Sequence, residues 1–96
     1  LWERAGLYGN GAILSTPNDM MIYARAMVRP EETPFPKAIR RAQTRQHGNI
    51  AYGWFVTPSE SIWHNGMTGG FSSLIKAYVK KDLAVFALSN TEAEIH

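Results

Sequence analysis

The stretch SIWHNGMTGGFSSLIKAYVKKDLAVFALSN, residues 61–90, decides the fold. Three strand-like segments, residues 61–64, 72–79 and 83–89, are separated by glycines or by the turn residues 80–82, Lys-Lys-Asp. Strands joined by connections this short pair antiparallel. Residues 83–89 are apolar at nearly every position, which predicts an internal strand that is buried on both faces.

The residues before this stretch predict one more strand and a helix. Residues 52–57 read as a strand that Pro58 ends. Further upstream, Thr16 is the predicted N-cap of a helix, Pro17 its first residue, and Asp19 the third residue of a capping box. Apolar residues then recur at helical spacing and form one face: Met20, Met21, Ala24, Met27 and Val28.

The first helix is predicted over residues 16–29, because Pro30 cannot continue it. Residues 30–36 form a proline-rich linker, and residues 37–45 a second, basic helix whose arginines face solvent. The fold class is therefore α+β. We expect a small antiparallel sheet of about three to four strands, packed against one or two helices in a single small domain.

Bulk composition excludes several kinds of site. The chain has 96 residues, a net charge of +2 and no cysteine. The absence of cysteine rules out disulfides and thiolate metal sites, and the three histidines lack metal-ligand spacing. We expect no metal and no cofactor. The weak charge argues against nucleic-acid binding, and no apolar run is long enough to span a bilayer.

Residues 63–71, WHNGMTGGF, are the segment best suited to chemistry. An imidazole at a strand end can donate, accept or carry a proton near neutral pH. Backbone N–H groups left unpaired where the strand meets the glycines can hold the oxyanion of an acyl-transfer reaction. The same residues also fit a structural histidine beside a glycine hairpin or bulge, so the residues alone leave both interpretations open.

A family resemblance adds to this interpretation. Residues 61–90 resemble the third conserved box, and the two strands after it, of class C β-lactamases, penicillin-binding proteins and family VIII esterases. The box there is Lys-Thr-Gly or His-x-Gly, followed by Thr-Gly-Gly-Phe; here it is His64-Asn65-Gly66, followed by residues 68–71. Residues 14–20 are similar to the family's Ser-Thr-x-x-Asp-Met helix start, and residues 42–54 to the segment before its first C-terminal strand.

The resemblance implies a serine acyl-hydrolase that acts through an acyl-enzyme on a lactam, an ester or a D-amino-acid amide. His64 would line the site and support its proton network. Asn65, Gly66 and Thr68 would contact substrate, and the Met67 backbone N–H would be the second oxyanion donor. The His-x-Gly form is similar to that of esterases, D-aminopeptidases and carboxypeptidase-like members rather than to that of lactamases with the Lys-Thr-Gly form.

Two look-alikes of the family's other motifs are rejected. The nucleophile motif Ser-x-x-Lys occurs as residues 73–76, but in a predicted strand, where Ser73 and Lys76 fall on opposite faces. The motif Tyr-x-Asn occurs as residues 8–10, in the wrong order along the chain. We therefore expect a C-terminal fragment that is inactive alone, its attacking serine lying outside these residues.

Two alternatives to an enzyme fragment stay open: a non-catalytic binding or structural module of the same fold, and an unrelated small α+β domain. For the enzyme, the resemblance implies a small-molecule or peptidoglycan-like substrate and a periplasmic or secreted location. The isolated piece would expose surfaces that the rest of such a domain covers, so we expect that it can dimerise or swap strands.

Overall fold

Two helices and a four-stranded sheet make up the structure, a computed structural model that describes Gly11 and residues 13–91. The helices are α1 (Pro17–Val28) and α2 (Pro36–Gln43). The strands are β1 (Phe55–Val56), β2 (Ile62–Thr68), β3 (Phe71–Tyr78) and β4 (Leu83–Ser89). They pair antiparallel in the order β1-β2-β3-β4, which confirms the predicted α+β class.

Local chemistry sets both ends of α1. Thr16 is the N-cap, and its side-chain oxygen accepts a hydrogen bond from the Asp19 amide at 3.2 Å. This bond satisfies one of the amides that the first helical turn leaves unpaired. The helix ends at Val28, two residues before Pro30. Both termini of the predicted helix are therefore confirmed to within a residue.

The core lies between α1 and one face of the sheet. Ala24 and Met27 of α1 are buried, whereas Met21 is 63% exposed, so its predicted place on the core face was wrong. Met21 follows Met20 by about 100° around the helix, which turns it away from the sheet. The residues of the core cluster come from α1, from all of the first three strands and from the loop before β1: Met27, Ala51, Val56, Ile62, Ile75 and Ala77.

The structure corrects several predicted bounds. Residues 52–54 bend, with Gly53 at a φ of 76°, so the strand predicted over residues 52–57 shrinks to β1. The predicted linker contains a 3-10 turn, Pro30–Glu32, and α2 begins at Pro36 rather than at residue 37 and ends at Gln43 rather than at residue 45. A left-handed glycine shortens the strand, and prolines begin both the 3-10 turn and α2.

The strand β4 differs from its prediction in burial. It was expected to be internal and covered on both faces, but it lies at the edge of the described sheet. Leu83 and Val85, on the face opposite α1, are 48% and 49% exposed. The apolar residues of β4 therefore lie on two faces. One face packs on the core, and no described element covers the other.

An ion-pair network joins the end of α1 to the turn between β3 and β4. Arg29, the C-cap residue, donates two hydrogen bonds to the Asp82 carboxylate, at 3.1 and 2.8 Å. Glu32 contacts both Arg25, at 2.7 Å, and Arg29, at 3.7 Å. The side-chain hydrogen bond from Arg29 lowers the pKa of Asp82, and the one from Arg25 lowers the pKa of Glu32.

The Asp82 carboxylate predicts an acid-sensitive contribution to stability. Its pKa is lower in the folded protein, so the contribution is complete above the ordinary carboxyl pKa of about 4 and is lost as the pH falls through the folded value. We expect Asp82→Asn to be less stable than the parent at pH 7. The difference should shrink between pH 4 and pH 2, as urea unfolding at each pH would show; a constant gap would contradict the pairing.

Ile62 supplies a test of the core. Its side chain is 1% exposed, and Ile62→Ala should lower the free energy of unfolding by about 2–4 kcal/mol, because a buried cavity replaces the lost methyl groups. Ile13, which is 89% exposed, is the matched control, and Ile13→Ala should change stability by less than about 0.5 kcal/mol. Chemical denaturation measures both, and equal losses would place Ile62 outside the core.

Candidate functional site

The segment with the histidine and the glycines is part of a continuous hairpin. Strand β2 does not end at His64 as predicted but runs on to Thr68, paired with β3 along its full length. Gly69 and Gly70 form the two-residue turn, with Gly70 at a φ of 83° that favours glycine. The glycines therefore form a tight turn. Any unpaired backbone N–H groups lie along β2, on its edge away from β3.

Alternation along β2 decides which amides remain open. The Thr57 amide donates to the Ser61 carbonyl at 2.9 Å, so the backbone groups of Ser61 point toward β1. Because these groups alternate in direction, those of Trp63, Asn65 and Met67 point the same way. The first residue of β1, Phe55, pairs with Trp63, and β1 does not extend along β2 beyond that pair. The backbone N–H groups of Asn65 and Met67 thus face an edge that no described strand covers.

His64 stands beside this open edge and is exposed. Its Nδ1 lies 2.6 Å from the Asn65 carbonyl oxygen, which can only accept, so Nδ1 carries the proton in the neutral ring. Nε2 then bears the lone pair and has no hydrogen-bond partner among the described residues. A histidine whose Nδ1–H is held by a carbonyl is suited to exchange protons at Nε2.

Aromatic rings flank the imidazole on the β1 side. The Phe55 ring lies 5.4 Å from the His64 ring, between centroids, and 4.8 Å from the Trp63 ring, with planes tilted by 31° and 32°. These separations fall in the range of favourable aromatic pairs. Sequence reasoning did not select Phe55, although its place in the strand predicted beside Trp63 was a usable signal. Trp54, by contrast, packs against the core.

The other predicted substrate contacts lie on the same strand. Asn65 and Gly66 are exposed, and Thr68 is half-buried. Gly66 faces Ser73 of β3, and a Cβ at that position would stand 2.8 Å from the serine Oγ. Because Gly66 has no side chain, the strand backbone on this face is uncovered two residues from His64. The Met67 side chain is 45% exposed, on the opposite face.

The rejected motif of residues 73–76 stays rejected. Ser73 and Lys76 are both in β3, where an offset of three places their side chains on opposite faces. Ser73 shares the face of Gly66, while the Lys76 amine lies 5.1 Å from the centroid of the Tyr78 ring. Lys76 therefore does not reach the serine hydroxyl as a base. Residues 8–10, the other look-alike, lie outside the described residues.

Other kinds of site find no support near the hairpin. No group of three or more possible metal ligands occurs within the described residues. None of the described helices is long and apolar enough to cross a membrane. A pocket of about 460 Å³ lies between α2 and the far ends of β1 and β2, and none of the predicted site residues lines it. The candidate site around His64 is therefore the open edge of β2 and not this pocket.

Comparison with known proteins gives this edge its context. The family model described as Beta-lactamase matches the sequence over residues 1–96. The chain belongs to the β-lactamase family. A search of curated proteins found no match. The two helices and the antiparallel sheet are consistent with this family's serine-hydrolase fold, which confirms the resemblance at the level of the family and the fold.

The close approach of Gly66 and Ser73 predicts a measurable coupling. Alanine in a strand normally gains about 0.5–1 kcal/mol over glycine, but at Gly66 the new Cβ meets the serine Oγ. We expect Gly66→Ala to raise the free energy of unfolding more in a Ser73→Ala background than in the parent. A double-mutant cycle by chemical denaturation measures the difference. Additive effects of the two changes would show that the contact is not restrictive.

Proposed function

We propose that this chain supplies the third-box wall of a serine acyl-hydrolase, acting on a lactam, an ester or a D-amino-acid amide. One observation carries the proposal: the Met67 backbone N–H faces the uncovered edge of β2, two residues beyond the amide of Asn65 and on the same strand as His64. The attacking serine belongs to residues of the full-length protein outside this chain. The 96 residues alone are then inactive.

The β2 edge would take part in the reaction in two ways, by stabilising an oxyanion and by exchanging protons. When the serine oxygen attacks the substrate carbonyl, the C=O bond opens and its oxygen becomes an oxyanion. The Met67 N–H donates to that oxygen, and such a donor typically contributes about a hundred- to a thousand-fold in rate. Nε2 of His64, which bears the lone pair, accepts a hydrogen bond or a proton from the groups that lie on this edge.

Substrate contacts follow from the neighbours of His64. Gly66 brings the strand backbone close to the bound acyl group, and the side chains of Asn65 and Thr68, on opposite faces of β2, offer hydrogen bonds on either side of it. A histidine carries only part of a positive charge near neutral pH, whereas a lysine is fully charged. The His-x-Gly form therefore favours esters and D-amino-acid amides over a lactam bearing a carboxylate. A small-molecule or peptidoglycan-like substrate and a periplasmic or secreted location accompany this proposal.

Kinetics of a His64 variant in the full-length protein test the role of the imidazole. We expect His64→Ala to lower kcat/KM at least tenfold with a chromogenic ester, because the proton network on the edge is lost. His47→Ala is the matched control, since His47 is an exposed loop histidine, and its kinetics should not change. Unchanged kinetics in His64→Ala would leave that histidine a structural role only.

Labelling with a covalent probe tests which part of the protein holds the nucleophile. A fluorophosphonate should label the full-length protein and leave residues 1–96 unlabelled. Labelling of the 96-residue chain that Ser73→Ala abolishes would overturn the rejection of that serine. A full-length protein that neither reacts with the probe nor hydrolyses ester, lactam or amide would be the binding or structural module instead.

A further inference from the structure

We propose that Phe55 is a positioning residue for His64: its ring holds the imidazole in the orientation in which Nδ1 donates to the Asn65 carbonyl and Nε2 stays open. The effect on turnover rests on the proposed function, whereas the effect on the ring orientation does not. Phe55 itself touches no reacting atom and acts only through the histidine.

The need for such a residue follows from the exposure of His64. The imidazole is tethered within the described residues by a single hydrogen bond, from Nδ1 to the Asn65 carbonyl at 2.6 Å. Rotation of the ring about χ2 carries Nδ1 away from the Asn65 carbonyl, and the side chain of an exposed residue samples such rotamers quickly. A second contact that holds the plane of the ring is required to keep Nδ1 within hydrogen-bond reach of that carbonyl.

The Phe55 ring is that second contact. It lies 5.4 Å from the imidazole at a tilt of 31°, and its other neighbour is Trp63 at 4.8 Å. A stacked pair restricts the tilt of both rings in a way that an aliphatic side chain does not. The three rings therefore form a short aromatic row, with His64 at its exposed end.

The backbone of Phe55 is itself held from both sides. It pairs with Trp63 on β2 and forms an antiparallel bridge with Ile50 on the other side. The next residue, Val56, is buried and its amide donates to the Asn49 carbonyl at 2.7 Å. A ring on a strand that is paired on both sides has a well-held backbone from which it can orient its neighbour.

Imidazole nitrogen spectra of the full-length protein test the orientation directly. With ¹⁵N-labelled histidine, in spectra recorded at alkaline pH, His64 should show one neutral tautomer, protonated at Nδ1; His64→Gln assigns its signals. In Phe55→Leu we expect a mixture of both tautomers, because the ring contact is lost. Phe55→Tyr, which keeps the ring, should restore the single tautomer. Phe35→Leu is the matched control at a 68% exposed phenylalanine and should leave the spectrum unchanged.

Turnover by the same variants tests the consequence. We expect Phe55→Leu to lower kcat three- to tenfold with little change in KM, and Phe55→Tyr to stay within twofold of the parent. If Phe55→Leu does not unfold cooperatively, Phe55→Met replaces it, since methionine fills more of the space without a ring. A single unchanged tautomer in the ring-free variant, or an altered tautomer with unchanged kcat, would overturn the positioning role. A tautomer that responds as expected in a protein without hydrolase activity would sink the proposed function and leave the ring contact established.

Discussion

The pairing register of the β2–β3 hairpin is the constraint on which the rest of the structure depends. The two-residue turn at Gly69 and Gly70 sets Thr68 opposite Phe71, and every later pair follows from that one. A slip by one residue would move Ile62 off the core and turn the Met67 amide toward β3. Core packing and the open amides of the candidate site are therefore consequences of the same turn.

The hairpin gives the sheet two unlike ends. At one end, Ile62 and Ala77 are paired and fully buried, and β1 closes the edge. At the other end, beyond Phe55, the edge is uncovered and the side chains of His64 and Asn65 are exposed. The buried end provides the rigidity, while the open end presents polar groups in defined directions, an arrangement that is typical of sites built on strands.

The sequence predicted the features that depend on local chemistry. Thr16, Pro17 and Asp19 mark the start of α1 because a cap and a proline act within one helical turn. The features that it missed depend on distant partners. Asn65 and Gly66 have low strand propensity, and only pairing with β3 keeps them extended. The exposure of Val85 likewise depends on what packs above the sheet, which its own neighbours do not encode.

The sequence singled out the residues of the candidate site but not their geometry. The motif around His64 selects the segment on which the candidate site is built, and the family match is consistent with that choice. The direction of the Met67 amide could be assigned only once the Thr57–Ser61 hydrogen bond gave the phase of the strand. Phe55 was missed because its contact with the imidazole forms between strands, and the only trace of it along the chain is its place in the strand predicted beside Trp63.

The uncovered edge of β2 also presents its backbone groups at a regular spacing. Backbone groups that point the same way along a strand recur every second residue, which is about 7 Å. Asn65 and Met67 therefore offer their N–H and C=O groups at the repeat of an extended polypeptide. A linear, peptide-like molecule laid along this edge would meet the backbone groups of both residues, whereas a compact ring would meet those of only one.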